Sequence, residues 1–146
     1  AARSPYKTHQ GAFVDVATST GYYLQIGAPG VRVGGGFYHA ESADLARIRA
    51  AMDDQRTGHE LEKLLAGLTR AGLDVGGERL KRPPRGFDAE HPRVHLLKHK
   101  SLTAGRDYGF EQVIHTSELL DRVRQDWRRM RPLVEWIADR IDDTSP

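Results

Sequence analysis

The polar segment at residues 4–9 (SPYKTH) combines side chains that could bind or transform a ligand. It offers a hydroxyl, a phenol, an ammonium and an imidazole within six positions, which is the inventory of a polar binding site. A lysine or histidine titrating near pH 7 could act as an acid or base, but the sequence shows no burial or charged partner that would tune Lys7 or His9. A solvated entry into a sheet is an equal interpretation.

A basic loop at residues 80–88 (LKRPPRGFD) is the most distinctive stretch of the chain. It places three cations, two prolines and a glycine around one aromatic residue. Proline restricts φ and glycine permits turns, so the loop can present side chains at a low ordering cost. The formal charge is +5 over residues 78–106 and +2 over the whole chain. Such clustering favours a recognition surface for an anionic ligand, and solvated surface is the competing interpretation.

Two further patterns are similar to metal-binding or phosphate-binding motifs, but we interpret both as structural. His95 and His99 have the i, i+4 spacing of zinc ligands on a helix, but we expect residues 94–100 to form a strand, where that spacing spans about 13 Å. The triplet at residues 34–36 (GGG) has no Gly-Lys-Ser/Thr ending, so we expect a bulge or a close backbone approach there. We expect neither a metal ion nor a cofactor.

Length and composition indicate one α+β domain over residues 1–146. Hydrophobic residues make up 38% of the chain and charged residues 29%, as in globular proteins. No apolar run approaches the roughly 18 residues that span a bilayer, so no membrane association is expected. The absence of cysteine excludes disulfides and thiolate catalysis. No signal-peptide pattern is present at the start, and we expect a cytoplasmic protein.

The first third of the chain reads as β structure. We predict a strand over residues 13–17 and a hairpin of residues 22–26 and 31–33, with Ile26 opposite Val31. One face of this hairpin then faces the core, while Arg32 lies on the other face with Tyr23 and Gln25.

Helices follow these strands. The predicted fold is an antiparallel sheet of about four to five strands packed against three to four helices. Ser42 is expected to cap the first helix, and Thr57 with Glu60 to form a capping box before the second. The second helix should bury a leucine stripe and end near Gly72. From about residue 117 the periodicity is helical, with a break predicted at Pro132. The leucine stripe of the second helix is expected to consist of Leu61, Leu64, Leu65 and Leu68. Trp136 is expected to broaden an apolar face open to another chain.

Several short motifs, taken in order, resemble the family catalogued as domain of unknown function 2461 (DUF2461). The motifs are residues 4–9, the glycine triplet with residues 37–39 (FYH), residues 80–88, residues 91–92 (HP) and residues 97–98 (LK). Each is weak alone, but their order and spacing match along nearly the whole chain. The family occurs in bacteria and fungi without an established activity, so the resemblance implies a family and no function. Members also carry an amino-terminal portion that this chain lacks, which implies a sheet edge left uncovered or covered by another subunit.

The leading hypothesis is a binding module that presents a basic and polar surface to an anionic small molecule or partner. One rival is an enzyme acting on a phosphorylated or otherwise anionic small molecule, with His9 or His39 as acid or base. Another is a structural protein that forms a homo-oligomer. Nucleic acid is a less favoured ligand, because aromatic residues are sparse among the cations and no recognition helix is evident. The candidate ligand-binding residues are Lys7, His9, Arg32, Tyr38, His39, Lys81, Arg82 and Lys98.

Overall fold

The computed structural model describes residues 10–27, 30–109 and 117–141. The strands in this part of the chain are β1 (Gln10–Ala17), β2 (Thr20–Gly27), β3 (Gly30–Phe37), β4 (Asp74–Gly76) and β5 (Leu102–Gly109). The helices are α1 (Ser42–Asp53), α2 (Gln55–Arg70), α3 (Val94–Leu97) and α4 (Ser117–Ala138). The strands form one antiparallel sheet in the order β1-β2-β3-β5-β4. The predicted α+β class is therefore confirmed.

The sheet has a core face and an open face. On the core face, α4 packs against β3 and β2, and Val33, Phe37, Met130 and Val134 are all fully buried. The opposite side is called the open face here, and its side chains include Phe13, which is 55% exposed. The open face carries Phe13, Tyr23, Gln25, Arg32 and Thr103.

The predicted hairpin is confirmed, including its register and its faces. Ile26 pairs with Val31, and the Arg32 Nε donates to the Tyr23 hydroxyl at 3.2 Å on the open face. The predicted bulge at the glycine triplet is wrong, because β2 and β3 pair without interruption there. The close backbone approach that was the alternative is present. A Cβ on Gly35 would lie 3.1 Å from the Met130 Sδ, so the glycine allows α4 to pack close to β3.

The helix starts differ from the predicted ones. Glu41 rather than Ser42 is the N-cap of α1, and Asp54 caps α2 in place of the predicted Thr57–Glu60 capping box. The Asp54 carboxylate accepts from two backbone N–H groups at 2.9 and 3.1 Å, and these hydrogen bonds, that of the Thr57 N–H foremost, lower its pKa. The Thr57 hydroxyl instead donates to the Ala51 carbonyl at 2.6 Å. An ionised carboxylate three residues earlier therefore provides the cap.

The leucine stripe and the end of α2 agree with the predictions. Leu61, Leu65 and Leu68 are buried, and Leu64 packs partly buried against the core. Gly72 has φ +91°, and the N–H groups of residues 72 and 73 donate back to the carbonyls of Thr69 and Leu68. This is a Schellman motif, which glycine allows without steric strain.

Three predictions in the second half of the chain are wrong. Residues 94–100 do not form a strand: Val94–Leu97 is a short helix, because a short apolar run does not by itself distinguish the two structures. Pro132 lies inside one continuous helix, where buried residues on both sides hold the chain against the sheet. Trp136 is only 4% exposed, and its indole N–H donates to the Thr57 carbonyl at 3.1 Å, so it is not available to another chain.

In residues 10–27, 30–109 and 117–141, no helix combines the length and the apolar character needed to cross a membrane.

Candidate functional site

A row of paired residues crosses the open face and contains two adjacent glycines. Phe13 pairs with Tyr23, Tyr23 with Gly34, Gly34 with Gly105, and Gly105 with Asp74, so the row runs across all five strands. Successive residues on a strand point to opposite faces, so every member of this row belongs to the open face. The two glycines leave a strip of bare backbone in the middle of the sheet.

Two planar groups lie over this bare backbone. A Cβ on Gly34 would overlap the ring of Tyr23, and a Cβ on Gly105 would overlap the guanidinium of Arg32. The ring and the guanidinium therefore lie over the backbone of these two glycines, joined by the hydrogen bond between them. We call this pair, Tyr23 and Arg32, the platform.

The hydrogen bonds of Arg32 hold its guanidinium in place from the edge. Its Nη1 lies 3.0 Å from a carboxylate oxygen of Asp107 and 3.7 Å from one of Asp74, and its Nε donates to Tyr23. Burial alone would lower the pKa of Arg32, but the Tyr23 hydroxyl and the two carboxylates raise it above its ordinary value. Its positive charge is thus balanced by local carboxylates, while its side chain remains 30% exposed.

A cleft of about 560 Å³ opens beside the platform. Three aromatic rings form much of its wall: the Phe13 centroid lies 5.8 Å from that of Tyr23 and 5.7 Å from that of Tyr38. Amide and hydroxyl groups supply the polar part of the lining. The lining residues are Phe13, Tyr23, Gln25, Tyr38, Ser101 and Thr103. This mixture of aromatic wall and few polar groups is typical of small-molecule sites.

Tyr38 is held in the cleft by a carboxylate on the edge strand. Its hydroxyl donates to Asp15 Oδ1 at 2.5 Å, and its backbone N–H donates to the Ser19 carbonyl. The hydrogen bond to Asp15 is the main reason that the pKa of Tyr38 is raised to about 12. Tyr38 therefore stays protonated and fixed in orientation at neutral pH.

Two basic segments run side by side next to Ser101. The Leu80 N–H donates to the Lys98 carbonyl at 2.7 Å, and the Lys100 N–H donates to the Glu78 carbonyl at 2.7 Å. These contacts continue the direction of the β4–β5 pairing beyond the end of both strands. The cations on the two segments are called the basic ledge, and they are Arg79, Lys81, Arg82, Lys98 and Lys100.

The basic ledge begins at the wall of the cleft. The Glu78 N–H donates to the Ser101 Oγ at 2.9 Å, and Ser101 is a lining residue. Four of the five cations are exposed and Lys98 is half-buried. Among the described residues, no carboxylate forms an ion pair with any of the five. The ledge thus differs from Arg32, whose charge is already balanced.

The loop that follows the ledge is anchored to the helices. The Phe87 ring packs on the core and lies edge-on to the His91 ring at 6.2 Å. His91 Nδ1 accepts the backbone N–H of Arg93 at 2.9 Å, so its other nitrogen carries the proton that faces Asp53 Oδ1 at 2.7 Å. Arg93 itself is buried and donates to the carbonyls of Met52 and Asp53. These contacts tie the segment after the ledge to the core and to the end of α1.

The structure brings some of the predicted site residues together and separates others. Arg32 and Tyr38 lie on the platform and in the cleft, while Lys81, Arg82 and Lys98 lie on the basic ledge. His39 is 67% exposed, with its Nε2 3.5 Å from Glu41. Lys7 and His9 lie outside the described residues. Although the predicted hairpin placed Tyr23 and Gln25 on the same face as Arg32, five residues that line the cleft were not predicted as site residues. They are Phe13, Tyr23, Gln25, Ser101 and Thr103.

A second cavity, of about 320 Å³, lies on the other side of the sheet around a buried carboxylate. Asp126 is 3% exposed and accepts from Arg106 Nε at 2.9 Å, the Tyr108 hydroxyl at 2.6 Å and Arg129 Nη1 at 3.0 Å. Burial and the Asp126 contact raise the pKa of Tyr108. The carboxylate therefore joins β5 to α4. The described residues contain no group of three or more His, Cys, Asp or Glu side chains placed to hold a metal ion.

Comparison with known proteins places the chain in a family. The model of the family described as "Conserved hypothetical protein (DUF2461)" matches residues 1–136 of the 146-residue chain. No curated protein and no solved structure matches it. The match covers most of the chain and includes every strand described above, so it applies to the whole sheet that carries the cleft. The chain belongs to the DUF2461 family.

Proposed function

We propose that this protein binds an anionic small molecule on the open face of its sheet. The body of the ligand occupies the aromatic cleft, and its negatively charged group contacts the basic ledge. The observation that supports this most strongly is the junction at Ser101, where the lining of the cleft meets the segments that carry the five cations.

The size and lining of the cleft suit a small organic ligand. A volume of about 560 Å³ falls within the roughly 300 to 1,000 Å³ of typical ligand sites. Phe13 and Tyr38 offer apolar ring faces, while Gln25 and Thr103 offer groups that donate and accept hydrogen bonds. The hydrogen bond from Tyr38 to Asp15 fixes one wall, so less side-chain freedom is lost on binding.

The charge of the basic ledge favours an anionic ligand. Its five cations are accompanied on the same segments by one carboxylate, Glu78, whose backbone N–H and carbonyl both hold the segments in place. Clustered charge of one sign raises the local concentration of an oppositely charged ligand, and salt screens this effect. Lys81 and Arg82 are both exposed and adjacent in sequence, so they are suitable sites for a test.

A fluorescent aromatic anion tests the proposal directly. The probe is 8-anilinonaphthalene-1-sulfonate, and N-phenyl-1-naphthylamine is its uncharged counterpart. Replacing both Lys81 and Arg82 with alanine removes two exposed charges worth about 0.5 to 1 kcal/mol each, so the sulfonate should bind about 5- to 30-fold more weakly. The uncharged dye should bind equally to both proteins.

A control variant separates the cleft from other apolar surface. Val14 lies on the core face of β1, next in sequence to Phe13, and is 56% exposed. Val14→Ser should leave sulfonate binding unchanged, whereas Tyr38→Ser should weaken it. Circular dichroism of each variant checks the fold. The proposal is wrong if the sulfonate binds the Lys81/Arg82 double variant and Tyr38→Ser as tightly as it binds the wild type.

Self-association is a second candidate function, favoured by apolar side chains at the β1 edge of the core face. Val14, Val16, Ile26 and Leu120 are each 46 to 56% exposed, although they lie on strands and a helix that pack on the core. Among the described strands, β1 also lies at an edge of the sheet, and edge strands can pair with another chain. Sedimentation equilibrium should show dimers that Val16→Lys abolishes, and a monomer at every accessible concentration would exclude this function.

A further inference from the structure

We infer that the ligand of the open face is a nucleoside diphosphate, with its base stacked on the platform and its phosphates on the basic ledge. This inference rests on the proposed function and makes the class of anion specific. It depends on three features that follow one another along the sheet: the platform, a polar rim and the two adjacent segments that carry the basic ledge.

The platform has the geometry of a stacking surface. The backbone below is bare at Gly34 and Gly105, and Tyr23 and Arg32 lie over it. The three partners of Arg32 hold its planar guanidinium in place while the side chain stays partly exposed. Guanidinium planes and tyrosine rings are the groups on which proteins stack unpaired bases. Because its charge is balanced by two carboxylates, Arg32 fits the role of stacking group better than that of anion receptor.

The polar rim suits the base edge and the ribose. Gln25 pairs with Arg32 in the neighbouring row and supplies an amide, which both donates and accepts. Thr103 on β5 and Ser101, just before β5, supply hydroxyl groups. The Ser101 oxygen already accepts the Glu78 N–H, so its hydroxyl proton can be donated to a ligand oxygen.

The distance along the sheet favours a diphosphate over a monophosphate. Gly105 lies under the platform and Ser101 lies at the start of the ledge, and four strand residues span about 13 Å. The phosphate of a mononucleotide is attached directly to the ribose and falls short of this span. The second phosphate of a nucleoside diphosphate extends further toward the cations.

Calorimetric titration with three probes tests the inference. The probes are ADP, inorganic pyrophosphate, which lacks the base, and adenosine, which lacks the phosphates. They are used with EDTA present so that no divalent ion contributes. ADP should bind at least tenfold more tightly than either of the others. AMP, added as a fourth probe that lacks the second phosphate, should bind more weakly than ADP.

The outcomes separate this inference from the proposed function. If pyrophosphate binds as tightly as ADP, stacking on the platform is excluded while an anion site remains. If none of the three probes binds but the anilinonaphthalene sulfonate does, the nucleotide is the wrong ligand class. If neither the nucleotide nor the sulfonate binds, the proposed function fails as well. AMP binding as tightly as ADP would overturn the choice of a diphosphate.

Substitutions at Gly34, which lies beneath the platform, and at Arg32 test the platform without removing a charge. Gly34→Ala should displace the Tyr23 ring and weaken ADP at least fivefold, with pyrophosphate unchanged. Gly67→Ala is the matched control, because a Cβ there meets no atom within 4 Å. Arg32→Lys keeps the positive charge but removes the planar guanidinium, so it should also weaken the binding of ADP and leave the binding of pyrophosphate unchanged. It replaces Gly34→Ala as the test if that variant does not fold. Equal ADP binding by wild type and Arg32→Lys would contradict the inference.

Discussion

We expect substitution of Arg93 to lower the free energy of unfolding strongly. The side chain is 8% exposed, and its Nε and Nη2 donate to the carbonyls of Met52 and Asp53 at 2.7 and 2.8 Å. These carbonyls belong to the last two residues of α1, which lack partners within the helix. The guanidinium thus caps α1 and holds the segment after the basic loop against it.

The expected loss follows from these two contacts. Hydrogen bonds that involve a charged group contribute about 1.5 to 3 kcal/mol each, so Arg93→Met should lower the free energy of unfolding by about 3 kcal/mol or more. Methionine retains much of the apolar stem, so little of this loss comes from packing. Urea denaturation followed by circular dichroism measures it, and the melting temperature should fall by roughly 2 to 4 °C for each kcal/mol.

Two further variants check the reasoning about Arg93. Arg85→Met removes an exposed arginine from the same part of the chain and should change stability by about 0.5 kcal/mol or less. Gly58→Ala adds a methyl group where the Arg93 side chain lies, so it should also destabilise the protein. The account of the cap is refuted if Arg93→Met is as stable as Arg85→Met.

Four other predictions concern titration, the buried carboxylate and α4. Above pH 10 the unfolded chain loses the Tyr38 proton, while the hydrogen bond to Asp15 holds the pKa of Tyr38 in the folded protein at about 12. The free energy of unfolding should therefore fall as pH rises from about 10 to 12. This fall should be less steep in Tyr38→Phe. Burial lowers the pKa of His99 from 6.5, so stability should decline as pH falls below that value, and His99→Asn should show a flatter acid limb in urea titrations. Asp126→Asn should cost about 2 to 3 kcal/mol in urea unfolding, since an amide cannot accept from two guanidiniums and a phenol together. Pro132→Ala should raise the melting temperature, because alanine restores a helix N–H for a gain of about 1 kcal/mol, and an unchanged or lower value would contradict this.

The first hairpin could be predicted from the sequence because its signals agree with one another. Alternating apolar residues and a glycine-proline turn determine both the register and the faces, which put Arg32 and Tyr23 together on the open face. The leucine stripe of α2 could be predicted for the same reason, since one periodicity dominates its sixteen residues.

The bare backbone beneath the platform could not be predicted because it depends on β5. That strand (LTAGRDYG) lacks a clear alternation of apolar and polar residues, and β4 has only three residues. Without β5 there is no pairing of Gly34 with Gly105, and so no reason to expect a bare strip of backbone. The glycine triplet was the available signal, and the space for Tyr23 and for α4 explains two of its members.

Tertiary packing explains the errors in α4. A proline inside a helix removes one hydrogen bond and introduces a clash of about 3 kcal/mol, which by itself favours a break. Burial of Met130, Leu133, Val134 and Ile137 on both sides of Pro132 outweighs that penalty. Trp136 is likewise buried by tertiary contacts, because its indole N–H donates to the Thr57 carbonyl and the Arg140 guanidinium lies 4.5 Å from the centre of its ring. Contacts between distant segments decided both cases.

The most direct test of the open-face site is the location of a bound ligand. Titration of ¹⁵N-labelled protein with ADP, followed by NMR, reports every backbone amide whose environment changes. We expect shifts concentrated at Phe13, Tyr23, Gly34 and Ser101, with contacts between the adenine protons and the Tyr23 ring. Shifts confined to the core-face side around Asp126, or no shifts at saturating ADP, would contradict it.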